Sequence, residues 1–265
     1  MDEPLNYLDH IRNESRRFAD CLNAADPQAP VPCCPDWTAA DLLWHLTEVQ
    51  LFWAVIVRDR LSSPAASEAA KPDRPDAYQD LMALFGDATA QLTAALDSTS
   101  DDTAVWSWST DQTAGFVRRR QAHEALIHRL DAEQTVGEVT DFDAALACDG
   151  VDEALRVMYG GLPAWARFAP DDEMTTRVRA ADSGAEWTLV LGRATGTSPD
   201  SGTSYDEDSL RVVDDPNAAV SCTVEANARD LDVWLWGRGS AETLSVDGDR
   251  VVFDRLQALV HEGIQ

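Results

Sequence analysis

The run Arg118–Glu133, RRRQAHEALIHRLDAE, constrains this chain more than any other stretch. Its period is helical, and the stripe Phe116, Arg120, Glu124, Ile127, His128, Asp131 falls on the side where burial is expected. Glu124 and His128 are one helical turn apart, and Asp131 follows three residues later; spacings of four and seven return to one helix face. An unpaired buried carboxylate is very unfavourable, so Glu124 has to be answered by a partner. A second helical pattern carries Trp44-His45-Leu46, with His45 on its apolar face. Two histidines and a carboxylate facing into a bundle are good ligands for a divalent metal, and three protein ligands rather than four leave a coordination position open.

The chain has 265 residues, of which 45% are hydrophobic, enough to build a sizeable core. Its 21 basic and 47 acidic residues leave a net charge of −26. A field of that sign repels phosphates, which argues against nucleic acid and anionic membrane surfaces as partners. Lys71 is the only lysine, and the Arg, Ala and Asp richness suggests a GC-rich genome. The five cysteines (Cys21, Cys33, Cys34, Cys148, Cys222) are odd in number and form no CxxC pair, so the spacing indicates neither a disulfide framework nor a thiolate zinc site. No basic start followed by an apolar segment marks a signal peptide, and no apolar run reads as long enough to cross a bilayer. The expected compartment is the cytoplasm.

Helical period covers residues 3–24, about 38–56, 77–97, 117–136 and 142–158. Thr38-Ala39-Ala40-Asp41 opens the second of these as a capping box with Asp in place of Glu. Residues 61–76 read as a loop, and 98–116 as an irregular stretch whose Trp106, Trp108 and Phe116 should pack. After Gly160-Gly161-Leu162-Pro163 the period changes. Thr175–Ala180, Glu186–Leu191, Leu210–Val213, Ala219–Val224 and Leu244–Val246 read as strands, 192–209 as a mobile loop, and Ala228–Trp236 and 251–262 as helices, with Gly237 as a C-cap. The expected architecture is a helical bundle over 1–159 and a small α+β domain over 165–265.

Each candidate residue has a bland reading beside its functional one. A lone His45 on an apolar face is usually a hydrogen-bonded core residue. Glu124 can pair with Arg120 one turn back or share a metal with His128; spacing alone weights these equally. Asp131 can orient the His128 ring or pair with Arg129 or Arg119. The Arg118-Arg119-Arg120 triplet can solvate a helix start or supply a cation for an anionic substrate. His123 precedes Glu124, but its spacing of five to His128 turns the helix by about 140°, so it points elsewhere, as a surface or interhelical residue. His10 and His261 have no partner pattern and read as exposed. Trp234-Leu235-Trp236-Gly237-Arg238 reads as two core tryptophans and a helix stop, or as a motif placing Arg238 at the mouth of a cleft. Cys33 and Cys34 read as small fillers or as reactive thiols.

Three segments, VPCCPDWTAADLLWHLTEVQ, RRRQAHEALIHRLDAE and DLDVWLWGRG, together resemble, in order, landmarks of the mycothiol-dependent maleylpyruvate isomerase family. The resemblance covers essentially the whole chain. It implies a DinB-like metal-binding four-helix bundle followed by a small α+β domain similar to sterol carrier proteins. It carries the family's His, Glu and His metal ligands onto His45, Glu124 and His128. It carries an arginine for anionic ligands onto Arg238, with Arg119 or Arg120 as a second. It further implies a divalent metal, zinc before other ions, and mycothiol as cosubstrate.

The implied chemistry is a metal-activated thiolate that adds to a small, anionic electrophile. Addition to a cis double bond, rotation and elimination give an isomerase; an adduct that persists gives an S-transferase. Two alternatives stay open at this level: a metal-dependent hydrolase with water in the open position, and a non-enzymatic metal- or ligand-binding protein.

Overall fold

The computed structural model describes residues 5–215 and 218–262. The chain divides into two compact units, Met1–Asp141 and Phe142–Gln265. The first contains α1 (Tyr7–Ala24), a ribbon of β1 (Pro30–Val31) and β2 (Cys34–Thr38), α2 (Ala39–Arg58), the short α3 (Ala65–Ala69), α4 (Tyr78–Asp97) and α5 (Ala114–Val136). Helix α1 packs on α4 and α5, and α2 packs on α4 and α5, which closes a four-helix bundle. The helix expected over 3–24 starts at Tyr7 with Asn6 as its cap; positions 3 and 4 lie outside the described residues. Helix α3 occupies part of the segment read as a loop.

The capping box is as the sequence predicts. The Asp41 amide donates to Thr38 Oγ1 at 3.2 Å, and the Thr38 amide donates to Asp41 Oδ2 at 2.9 Å. Ile11, Phe18 and Leu22 of α1, Leu42, Leu43 and Leu46 of α2 and Leu81, Phe85 and Leu92 of α4 form the apolar interior. Gln50 crosses it: its amide donates to Ser15 at 2.9 Å and its carbonyl accepts from Thr89 at 2.6 Å, tying α2 to α1 and α4. Helix α2 corrects one expectation, since by length and composition alone it is apolar enough to span a bilayer. More than half of it is buried in the bundle, so its apolar residues serve as core. Trp106 stacks on Trp53 as expected, whereas Trp108 is half exposed, with its ring edge on Phe116.

Helix α5 is buried almost all round, and Arg120, Gln121, His123, His128, Arg129, Asp131 and Glu133 are buried with its apolar residues. It is the polar spine of the bundle.

The second unit opens with α6 (Ala144–Glu153) and a π-helical stretch (Ala154–Tyr159), followed by β3 (Arg167–Ala180), β4 (Glu186–Thr197), β5 (Ser204–Val213), β6 (Cys222–Ala226), α7 (Ala228–Leu235), β7 (Ser245–Gly248) and α8 (Arg250–Glu262). The sheet order is β5-β4-β3-β6-β7, with β3 and β6 parallel and the other pairs antiparallel. The division between units falls before α6 rather than at the Gly160-Gly161 change of period. Helix α6 packs on α7, so closely that a Cβ at Gly150 would collide with the Asp232 carboxylate. The Trp187 indole donates to Asp152 at 2.9 Å, and the Tyr159 hydroxyl donates to the Leu235 carbonyl at 2.5 Å. Periodicity reports an element's own geometry and not which neighbour it packs on.

The segment 192–209 is not a mobile loop. Strands β4 and β5 continue through it as a hairpin, pairing Arg193 with Asp208, Thr195 with Asp206 and Thr197 with Ser204. Its cross-strand partners are polar and largely exposed, so it carries no apolar alternation to read. Strand β3 begins at Arg167, earlier than expected, and is interrupted by a register shift between Pro170 and Thr175. Gly237 ends α7 as expected, with φ +68.

Asp41 links this architecture to pH. The Thr38 hydroxyl, the Arg74 guanidinium and the Thr38 amide hold its carboxyl down from 3.8 to about 2. A depressed carboxylate stabilises the fold above its unfolded value and loses that contribution as pH falls through the folded one. Asp41→Ala should therefore cost about 1 kcal/mol at pH 7, and the gap to wild type should close as pH falls from about 4 to about 2. Urea unfolding followed by circular dichroism across that range checks it; a gap that stays constant would refute it.

Candidate metal centre

The ribbon and capping box launch α2 so that His45 faces α5, where Glu124 and His128 lie one turn apart. His45 Nε2 is 3.6 Å from Glu124 Oε1, and His128 Nε2 is 3.2 Å from the same oxygen. The two imidazoles meet edge to face with centroids 4.7 Å apart. One donor atom from each of the three residues lies within 4.8 Å of the others. Donors held about 2.1 Å from one tetrahedral ion are about 3.4 Å apart, so the observed spacings fit a single small cation without rearrangement of the helices.

The two oxygens of Glu124 face different neighbours. Oε1 faces the histidines, while Oε2 lies 3.3 Å from Arg120 Nη2. Asp131 Oδ2 is 2.9 Å from His128 Nδ1, the contact that the ring-orienting reading calls for. Arg129, one of the two arginines read as alternative partners of Asp131, pairs with Glu14 at 2.9 Å. The Trp37 ring lies 4.8 Å from the His45 ring and covers one side of it.

Burial alone would raise the Glu124 carboxyl, but hydrogen bonds from His128 and His45 and the charge of Arg120 hold it well below the usual carboxylate range. Burial would likewise lower His128, but Asp131 and Glu124 outweigh it and lift the imidazole to about 9. The pocket therefore favours positive charge at the point where the three donors meet.

The remaining site residues divide between the units. Arg120 is buried at the site, and Arg119 is half-buried on the same helix. His123 is fully buried against Tyr7 of α1, centroids 6.3 Å apart, so it is interhelical and not a surface residue. His10 is half-buried rather than exposed, and His261 is exposed. In the second unit Trp234 and Trp236 are core residues, with Trp234 stacked on Phe253. Arg238 is half-buried beside them and donates to the Trp236 carbonyl at 2.7 Å.

Sequence reasoning missed the environment of Cys33. Its thiol donates to Asp131 Oδ1 at 2.8 Å and lies 3.2 Å from Gln134 Oε1. Cys33, Cys34 and Asp131 form a second group of potential ligands within 4.8 Å. The vicinal cysteines were visible in the sequence, but no period on a helix points to a residue on a ribbon.

With this geometry in hand, the chain can be compared with known proteins. The family model for the mycothiol maleylpyruvate isomerase N-terminal domain matches residues 8–133, and that for the MDMPI C-terminal domain matches residues 145–255. The chain belongs to the mycothiol-dependent maleylpyruvate isomerase family. His45, Glu124 and His128 all lie in the first match and Arg238 in the second, and the gap between the matches brackets the division between the two units. The fold is similar to the crystal structure of the mycothiol-dependent maleylpyruvate isomerase, with TM-score 0.58, and to that of a histidine-to-alanine mutant, with TM-score 0.59. Each is 14% identical, and 92% of both chains is covered. No curated protein matches the chain in sequence.

In this family member the Arg120–Glu124 pair also bears on stability. Glu124→Gln removes one counter-charge from the buried Arg120 guanidinium, which should destabilise the metal-free protein by about 1–3 kcal/mol. Urea unfolding in the presence of a chelator measures this; a change below experimental error would show that Arg120 is balanced without Glu124.

Proposed function

We propose that this chain is a thiol-dependent isomerase with a divalent-metal centre at His45, Glu124 and His128. Its cosubstrate would be a low-molecular-weight thiol, mycothiol, and its substrate an anionic cis alkene like maleylpyruvate. The observation that carries the reading is the convergence of three donor atoms within 4.8 Å in a chain matched by this family across both of its parts.

A divalent ion, with zinc the ion we propose, would supply the Lewis acidity that keeps a coordinated thiol deprotonated at neutral pH. The protein's own residues prepare for it. With an ion bound, Asp131 would hold the proton of neutral His128 on Nδ1 and leave the Nε2 lone pair for the ion. Arg120 keeps Glu124 ionised through the other carboxylate oxygen. Trp37 packs its ring against that of His45. Three ligands leave a position for a thiol. A thiolate adding to a cis double bond permits rotation, and its elimination returns the thiol with the trans alkene.

His45→Ala should lose most of the bound metal and the isomerase activity. Asp131→Asn should retain the three ligands but bind metal about 10- to 100-fold more weakly. Elemental analysis, competition with a chromophoric chelator and an assay of maleylpyruvate with and without mycothiol test these points. Wild-type metal content in His45→Ala would overturn the ligand assignment. Stoichiometric consumption of thiol would mean S-transfer instead of isomerisation, and thiol-independent turnover would mean hydrolysis.

Anionic reactants need local cations in a protein of charge −26. We propose Arg238, together with Arg119 or Arg120, for the carboxylates of the substrate or thiol. Arg238→Lys keeps the charge but loses the planar two-pronged contact. Loss of a charge-assisted contact of about 1.5–3 kcal/mol should lower kcat/KM by about ten- to a hundredfold, with metal content unchanged. Unaltered kinetics in Arg238→Lys and Arg238→Ala would remove Arg238 from the mechanism.

A further inference from the structure

We propose that the β1–β2 ribbon and α5 form a second cation site, distinct from the histidine centre, in which Cys33, Cys34 and Asp131 bind a thiophilic divalent ion such as zinc or cadmium. Cys33 lies in the turn between the strands and Cys34 opens β2. Asp131 and Gln134 come from α5, far away in sequence, and the ribbon packs on that helix. Cys33 Sγ is 2.8 Å from Asp131 Oδ1 and 3.2 Å from Gln134 Oε1, and the Cys34 donor lies within the same 4.8 Å group.

The chemistry of this donor set points to a cation. Around the Cys33 sulfur are a carboxylate oxygen, an amide oxygen and a second sulfur, all electron-pair donors. Two thiolates, a carboxylate and an amide oxygen are a mixed S and O set of the kind that borderline-soft, tetrahedral ions accept. Around such an ion sulfur and oxygen donors stand about 3.6 Å apart, so the Cys33 contacts to Asp131 and Gln134 need lengthen by less than an ångström to admit it. Both cysteines are half-buried, which shields the site yet leaves a way in. Binding releases the thiol protons to solvent and forms metal–sulfur bonds, with no change of oxidation state.

The site touches the histidine centre through Asp131, whose Oδ2 holds His128 while Oδ1 faces Cys33. The inference does not depend on the isomerase reading, because Cys33 and Cys34 have no part in it and Asp131 turns its other oxygen to this site.

The test is cadmium titration of the full chain under a phosphine reductant. The expected result is an ultraviolet thiolate-to-cadmium charge-transfer band that saturates with one equivalent of ion. The Cys33→Ser, Cys34→Ser double variant should lose the band and one bound equivalent, and His45→Ala should keep the band. In the wild type, cadmium should slow alkylation of Cys33 and Cys34 by iodoacetamide, read by peptide mass spectrometry separately from Cys21, Cys148 and Cys222. Absence of the band, its survival in the double serine variant, or unprotected Cys33 and Cys34 would each overturn the proposal.

Discussion

Burying the charges of α5 is the constraint on which the first unit depends. A helix with this many ionised side chains can enter a core only if each is answered, since removing one member of a buried pair costs about 3–5 kcal/mol. The answers come largely from the helices around it. Arg17 of α1 reaches Glu133 at 2.8 Å, and Thr140 donates to the same carboxylate. Glu14 of α1 meets Arg129, and His45 of α2 meets Glu124. Burial pushes Glu133 up, yet Arg17, Thr140 and Arg129 together hold it below its ordinary value. Layers of leucine tolerate a slip of one turn far better than a buried arginine and carboxylate do. The pairs therefore fix the register of α1 and α2 against α5, and the apolar residues fill the space that this register defines.

The candidate metal centre follows from the same requirement. Glu124 and His128 are two more buried polar groups on α5, and the solution at their level combines one arginine and one imidazole from α2. What sets this level apart is that its donors converge on a point instead of closing pairwise. Pairwise closure at Glu133 leaves a structural salt bridge; convergence at Glu124 leaves room for an ion. Chemistry and stability thus draw on one pattern of charge.

Most of this was legible along the chain. Glu124, His128 and Asp131 could be placed because helical spacing alone puts them on one stripe, and His45 because an imidazole interrupts an otherwise apolar face. Thr38 and Asp41 announced the start of α2 through their capping chemistry. What escaped were relations through space. Cys33 meets Asp131 across a gap in sequence that no period spans. The β4–β5 hairpin is held by Arg193 against Asp206 and Asp208, and polar cross-strand pairs look like loop composition. Helix α6 has the same period whichever unit it joins, and it is contacts through space, such as Trp187 to Asp152 and the close approach of Gly150 to Asp232, that show it belongs with the second unit.

Two carboxylates on α5 each serve two masters, and the division is the same in both. Glu124 gives Oε1 to the histidines and Oε2 to Arg120; Asp131 gives Oδ2 to His128 and Oδ1 to Cys33. A carboxylate that spends one oxygen on a fixed neighbour loses its freedom to rotate, so its other oxygen is aimed before any ligand arrives. Preorganisation of this kind lowers the cost of assembling a site at the moment of binding. It also explains why α5, rather than a loop, carries these groups. Packed on α1, α2 and the ribbon, it can hold both oxygens of both side chains to within hydrogen-bonding tolerance, and a mobile segment could hold neither.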